Sequence, residues 1–311
     1  MSTEPIPPTP PKRSAVELIK ENSRHLRGGI AEELAKDSEK FSDQDKQLIK
    51  FHGSYQQDNR DARKERRSEG AGRSIIFMVR CKIPGGKVTG RQYLTLDQLT
   101  DRYANGTLRV TSRQGIQFHG VLKSNLKQTI ADINHCLLTT LGACGDVSRN
   151  VMGPPAPYAT PVYRELQRQA DIIAHLFAPK SRAYHEIWLN GKALATPSIE
   201  PDVEPIYGNI YLPRKFKTVF ALPEDNSTDI FAQDLGFLAH VENGAIVGYN
   251  VYAGGGMGMS HGNPNTFPYV AEAICYVGAD QVEPAAEAVI KLFRDHGNRA
   301  DRKRARLKYV L

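Results

Sequence analysis

The chain has 311 residues, enough for two domains of ordinary size, each with its own core. Its 40% hydrophobic and 24% charged residues are the composition of a soluble globular protein, and no run of about 18 apolar residues is present to span a membrane. The formal net charge of +7 calls for an anionic partner, whether nucleic acid, a polyanionic cofactor, an anionic substrate or an acidic protein.

The opening MSTEPIPPTPPKR has no apolar stretch for secretion, and its prolines predict a disordered leader. Cys81, Cys136, Cys144 and Cys275 form no CxxC pair, which fits reduced thiols in a cytoplasmic setting; taken alone they make no recognisable metal or cluster site. Residues 14–70 carry helix-like charged patterning and end in the polar, glycine-bounded FHGSYQQDNRDARKERRSEGAG, read as an arm or loop. SIIFMVRCKI predicts a strand broken by Pro-Gly-Gly at 84–86. LTLDQLTDRYANG places Leu96, Leu99 and Tyr103 at helical spacing and stops at Gly106. TLRVTSRQGIQFHG, residues 107–120, predicts a second strand, and NLKQTIADINHCLLTTLG a helix with Leu126, Ile130, Ile133 and Leu137 on one face. Strand, helix, strand, helix makes an α+β unit over 73–142.

After the Pro-rich MGPPAPYATP, a helix through Leu166, Ile173 and Phe177 leads to a predicted strand at AYHEIWLNG. The β-segments YLPRKFKTVFALP and GFLAHVENGAIVGYNVYAGGG follow, then a helix from Glu283 to His296. This second unit also reads as α+β, with a more extensive sheet.

Strand parity singles out residues 107–120. Leu108, Val110, Ile116 and Phe118 make one face apolar and suited to a core. The other face carries Thr107, Arg109, Thr111, Arg113, Gly115, Gln117 and His119, donors with a glycine gap and no acid. Ordinary solvent faces mix lysine with glutamate, whereas acid-free guanidinium rows suit bidentate binding of carboxylate or phosphate. Nucleic-acid binding would interleave aromatics with these cations, but Phe118 lies on the opposite parity. Arg80 near a strand end, Arg149 in a loop, and Lys215 and Lys217 two apart on a predicted strand face repeat the theme. They gain meaning only if they converge on one pocket. YAGGGMGMSHGN is neither a dinucleotide fingerprint nor a P-loop, and reads equally as a close-approach loop or a flexible turn.

Six blocks, FHGSYQQDNRD, TLRVTSRQGIQFHG, LGACGDVSRNVM, EPIYGNIYLPRKFK, GGGMGMSHGN and GNRADRKRARLKY, occur in an order that resembles assimilatory sulfite reductase haemoproteins. That sirohaem and 4Fe-4S family also contains the nitrite reductases. The resemblance covers residues from about 45 to the end. It implies a ferredoxin-like half-domain followed by a sirohaem-binding mixed α/β sheet domain. The boundaries it implies are 1–44 for leader and N-terminal helix, 45–151 for arm and half-domain, and 152–311 for the sirohaem domain.

The resemblance also implies that this is the N-terminal half of a longer enzyme, with the cluster cysteines in the missing second half, so no metal ligand is assigned. It implies that Arg109, Thr111, Arg113, Gln117 and His119 hold the sirohaem carboxylates, with Gly115 leaving room for the macrocycle. Asn150, Gly254, Gly255 and Gly256 would lie beside the cofactor, with Arg306 in a softer carboxylate role. Arg80, Arg149, Lys215 and Lys217 would cage the substrate anion. The implied activity is six-electron reduction of sulfite to sulfide in sulfur assimilation. The alternatives are ferredoxin–nitrite reductase, or an inactive fragment lacking the cluster ligands. The second lysine of RKFK resembles sulfite reductases, where nitrite reductases tend to have asparagine. TTLGACGD resembles ferredoxin-dependent members and favours ferredoxin as electron donor, with an NADPH flavoprotein as the alternative. Neither nucleic acid nor membrane is an expected partner.

Overall fold

The computed structural model describes residues 13–60, 62–189 and 203–311. The predicted leader therefore lies almost wholly outside the described residues. Short helices α1 (Ala15–Glu21), α2 (Ile30–Ala35) and α3 (Asp45–Leu48) lead into the first sheet. The stretch expected to be an arm or loop is instead β1 (Ser54–Asp58) and α4 (Arg63–Ser68), because β1 finds a full antiparallel partner in β2 (Ile75–Arg80). Pairing can draw a polar segment into a sheet whatever its propensity.

Helix α5 (Gly90–Tyr103) starts on a capping box between Thr89 and Gln92 and buries Leu96 and Leu99, as its spacing predicts. The predicted second strand is a hairpin: β3 (Leu108–Val110), a turn over 111–115, and β4 (Ile116–Val121). Helix α6 (Lys123–His135) buries Leu126, Ile130 and Ile133. It ends before Leu137, which adopts positive φ and is 89% exposed, against expectation. The first sheet has the order β1-β2-β4-β3, antiparallel throughout.

Helix α7 (Pro161–Leu176) is capped by Thr160, carries proline in its first turn and buries Leu166, Ala170 and Ile173. The strand expected at AYHEIWLNG is helix α8 (Ala183–Trp188) over its described part. Ala183, Tyr184, Ile187 and Trp188 recur at helical spacing, and all four are buried. Tyr184 Oη sits 2.9 Å from Thr140 Oγ1, and Trp188 Nε1 donates to His52 Nδ1 at 2.8 Å. Tertiary packing there overrides the β-propensity of the aromatics.

The second sheet has the order β5-β6-β7-β8, from β5 (Thr218–Ala221), β6 (Leu235–Glu242), β7 (Ala245–Ala253) and β8 (Glu272–Gly278). Strand β5 is parallel to β6, and the other pairs are antiparallel. Asn243 and Gly244 both take positive φ, the two-residue turn that suits the twist of the β6–β7 hairpin. Helix α9 (Val282–His296) buries Val282, Ala286, Ile290 and Phe293. Both sheets have four strands, and one continuous cluster of buried side chains runs from Leu26 to Leu307 through both.

Candidate functional site

The first sheet aligns its cations by register. Arg80 on β2 and Arg109 on β3 both pair with Gln117 of β4, so the three share a face, and His119 follows two residues on. Phe118 and Val79 point the other way and are fully buried. Parity therefore holds on the strands, with two corrections around the turn. Val110 keeps its side but sits at the sheet edge, 80% exposed. Arg113 lies in the turn, not on a strand. Thr111 spends its hydroxyl on that turn, accepting from Gly115 N at 3.0 Å and Arg113 N at 3.3 Å. A Cβ on Gly115 would come within 3.0 Å of the Cys81 carbonyl. The glycine thus serves a close approach of protein to protein.

Two further backbone strips run side by side. Leu212 N donates to Asp146 O at 3.0 Å and Phe216 N to Val147 O at 3.1 Å. Arg149 N donates to Phe216 O at 2.8 Å, and Phe220 N to Met152 O at 2.9 Å. The first strip carries Arg149 and Asn150. The second carries Lys215 and Lys217 just ahead of β5, on a bridged segment and not inside a strand.

These pieces enclose a cavity of about 230 Å³ lined by Arg80, Cys81, Thr111, Ser112, Arg113, Gly115, Ala143, Arg149, Asn150, Lys215 and Lys217. Five cations meet there and no acid lines it. Neither lysine ammonium has a hydrogen-bond or ion-pair partner among the described residues. Burial, reinforced by neighbouring cations, pushes each lysine down to about 8. For Lys215 the largest neighbour is Lys217; for Lys217 it is Arg113.

The arginines differ in how they are held. Arg80 Nη1 donates to Cys144 Sγ at 2.9 Å. With the Gln117 amide oxygen turned towards Arg80, it accepts from Arg80 Nε at 2.9 Å, while the amide nitrogen donates to His119 Nε2 at 3.0 Å. Arg149 Nε donates to Gly145 O at 2.9 Å. The Arg113 guanidinium is enclosed and turned towards protein: Gln233 Oε1 at 2.8 Å, Asn150 O at 2.6 Å and Thr218 O at 3.3 Å accept from it. Its Nε is buried without a partner, and burial lowers its pKa to about 9. Asn150 is an inner clamp, accepting from Ile83 N at 2.8 Å and donating to Arg113 O at 2.8 Å.

Arg109 and His119 line a neighbouring open groove of about 750 Å³ together with Arg60, Arg63 and Asp58. Burial, then Arg109 and Arg80, hold His119 below the ordinary histidine value. Arg306 does not reach either space as a free cation. It makes a bidentate pair with buried Asp234, at 3.0 and 2.9 Å. Gly254, Gly255 and Gly256 line neither the cavity nor the groove. A Cβ on Gly255 would lie 2.4 Å from Phe231 O and 2.5 Å from Gln233 O, so Gly255 packs on the 231–234 segment, whereas Gly254 faces Leu311 and Gly256 faces Lys308 and Arg306. Sequence reasoning missed Gln233 and Asp234, the anchors of Arg113 and Arg306. The signal available was a Gln-Asp pair opening the apolar segment that becomes β6.

A sirohaem, a macrocycle ringed by carboxylates, fits the groove and cavity by charge. The groove sets three arginines and a histidine against one acid, and the adjoining cavity has cations alone. A 4Fe-4S cluster does not fit the described residues. They gather no group of three or more His, Cys, Asp or Glu able to hold a metal ion. Cys81 and Cys144 are buried, Cys136 partly so, and Cys275 is exposed.

Residues 72–136 match the family model described as the nitrite/sulfite reductase ferredoxin-like half domain. Residues 169–311 match the nitrite and sulphite reductase 4Fe-4S domain. The chain is 49% identical to the sulfite reductase (NADPH) hemoprotein beta-component of Geobacillus kaustophilus (strain HTA426), over 98% of this chain and 53% of that protein. It is 48% identical to the protein of the same name from Staphylococcus saprophyticus, over 96% of this chain and 53% of that one. It thus spans about half the length of the curated relatives it matches. Its fold resembles that of the Mycobacterium tuberculosis NirA protein, with TM-score 0.71 and 23% identity over 96% of this chain and 50% of that one. With two family models falling in order along an α+β chain whose cations converge on one cavity, the chain belongs to the nitrite and sulphite reductase family.

Proposed function

We propose that this chain supplies the anion cage of a sulfite reductase haemoprotein that reduces sulfite to sulfide in sulfur assimilation in the cytoplasm. The observation that carries the reading is the acid-free cavity in which Arg80, Arg149, Lys215 and Lys217 converge. Sirohaem, when bound, supplies the redox centre at which sulfite sulfur passes from +4 to −2 with six electrons. The chain's own residues bind, orient and deliver protons. The two arginines and two lysines hold the dianion and draw charge from its oxygens. Lysines held near pH 8 can release a proton from Nζ as an S–O bond breaks, and an arginine cannot do this at neutral pH. Arg109 and His119, on the groove side, are placed to hold cofactor carboxylates. Arg113, Thr111 and Asn150 shape the cavity wall, and the Asp234 pair leaves Arg306 less available for a carboxylate.

The domain division at residue 152 belongs to the same proposal; the two family-model matches lie on either side of it. The relatives' names carry NADPH, which favours an NADPH-linked donor over ferredoxin.

The test is the absorption spectrum after reconstitution with sirohaem, followed by steady-state reduction of sulfite and nitrite with an artificial donor. Cofactor bands with sulfite turnover support the reading, whereas a colourless protein leaves only a fragment. Charge-assisted contacts contribute about 1.5–3 kcal/mol each. Lys217→Met should therefore lower sulfite reduction by about one to two decades. Lys217→Asn should shift preference towards nitrite, because it removes a charge but keeps a donor. Equal losses on both anions would remove the selectivity claim.

A further inference from the structure

The side chain that joins the two strips carrying the cage, Lys20, lies outside both family-model matches. Lys20 of α1 is fully buried. Its Nζ donates to Leu212 O at 2.7 Å, at the head of the strip that carries Lys215 and Lys217. The same atom lies 3.6 Å from Oδ2 of Asp146, at the head of the strip that carries Arg149, and 2.6 Å from Glu17 Oε1. Arg302 grips Asp146 through both carboxylate oxygens, at 2.8 and 3.1 Å. Arg299 bonds Glu17 Oε2 and, at 2.8 Å, Tyr211 O. One ammonium thus joins both strip heads, and Arg149 and Lys215 each lie three residues beyond the pinned end.

We propose that Lys20, through Leu212 O and Asp146, is a positioning residue for the anion cavity, fixing the register in which Arg149 faces Lys215 and Lys217. The ligand named below rests on the reading of the cavity as a sulfite cage. The positioning role does not. A lattice that served stability alone would, when broken, lower the melting temperature without changing the environment of the two lysines.

The experiment uses the full chain as wild type, Lys20→Met and Arg302→Gln. Sulfite binding is read by calorimetry. The titration of Lys215 and Lys217 is read by pH-dependent competitive acetylation with mass spectrometry, and protection of the Leu212, Phe216 and Arg149 amides by hydrogen exchange. Lys20→Met should weaken sulfite binding about tenfold or more. It should also move the lysine titrations up from about 8 towards the ordinary lysine value and release the three amides. Arg302→Gln, altered on the more solvent-facing side, should shift the same readouts in the same direction by less, and it carries the comparison should Lys20→Met not fold. A folded variant with lower stability but unchanged lysine titration and sulfite affinity overturns the proposal. If wild type binds no sulfite while the variants still shift the lysine titrations, the sulfite reading falls and the positioning role stands.

Discussion

Two clusters of cations share the same pair of backbone strips, and they are treated in opposite ways. At the strip heads Lys20, Arg299 and Arg302 are matched by Glu17 and Asp146 at hydrogen-bonding distance. Three to five residues along, Arg149, Lys215 and Lys217 meet Arg80 with no acid in the lining. Lys20 is fully buried and the other cations of both clusters are half-buried, so both clusters bear a desolvation cost. The first offsets it internally and becomes architecture. The second leaves it standing, visible as two lysines held near 8. An unpaired, half-buried cation is a stronger pointer to a ligand than a cation as such, because a ligand is what would relieve the cost.

Arg113 is where this division is most open to attack. It lines the cavity, yet its donors go to Gln233 Oε1, Asn150 O and Thr218 O, so it belongs with the architectural class. Arg113→Met strands those acceptors and should cost roughly 3 kcal/mol or more in a denaturant titration, the largest stability effect expected around the cavity. A variant of unchanged stability that merely bound anion less tightly would move Arg113 into the ligand class and blur the comparison.

The unpaired class makes a pH prediction whose sign follows from linkage. Lys215 and Lys217 have folded-state pKa values near 8, below the unfolded value of 10.5. Below pH 8 both states are protonated, and the folded state bears the full cost of the enclosed charges. Between about pH 8 and 10.5 the unfolded chain binds more protons, so the contribution of these groups to stability rises with pH. A bound anion reverses the incentive. Added sulfite should therefore raise the melting temperature more at pH 7.5 than at pH 9.5, read by differential scanning fluorimetry. An equal increment at both values would mean that the lysines do not meet the anion.

Much of the site was legible in sequence for a simple reason. Strand pairing converts an alternation of residues into a face, so Arg109, Gln117 and His119 could be placed together, and the register adds Arg80. The turn at 111–115 was masked because the apolar alternation keeps its parity across it, from Val110 to Ile116, although Ser112 and Gly115 are turn residues. That hidden turn sends Arg113 inward and leaves Val110 exposed. Helices α5 and α7, and α6 as far as Ile133, are legible because one apolar face repeats for several turns, whereas Leu137 falls beyond the end of α6. Helix α8 was missed because six residues give too little periodicity against aromatic β-propensity. Convergence of Lys215 and Lys217 with Arg149 depended on non-local pairing of 146–152 with 212–220, which no local pattern encodes.

The smallest expected effect concerns Arg214, which stands between the clusters. Its guanidinium is 3.9 Å from Asp146 Oδ1, but Asp146 already has Arg302 on both oxygens and Lys20 nearby. The side chain is 39% exposed, so solvent screens what remains of that attraction. Burial, opposed by Asp146, lowers its pKa, and the residue does not line the cavity. Arg214→Met should accordingly change stability by less than about 1 kcal/mol. It should alter sulfite affinity by less than about threefold, whereas Lys215→Met, one residue on, should cost about a decade. Calorimetric titration of the two variants side by side decides the point. If Arg214→Met lost as much affinity as Lys215→Met, proximity to the cavity and not absence of a counter-charge would be what selects the ligand-binding cations.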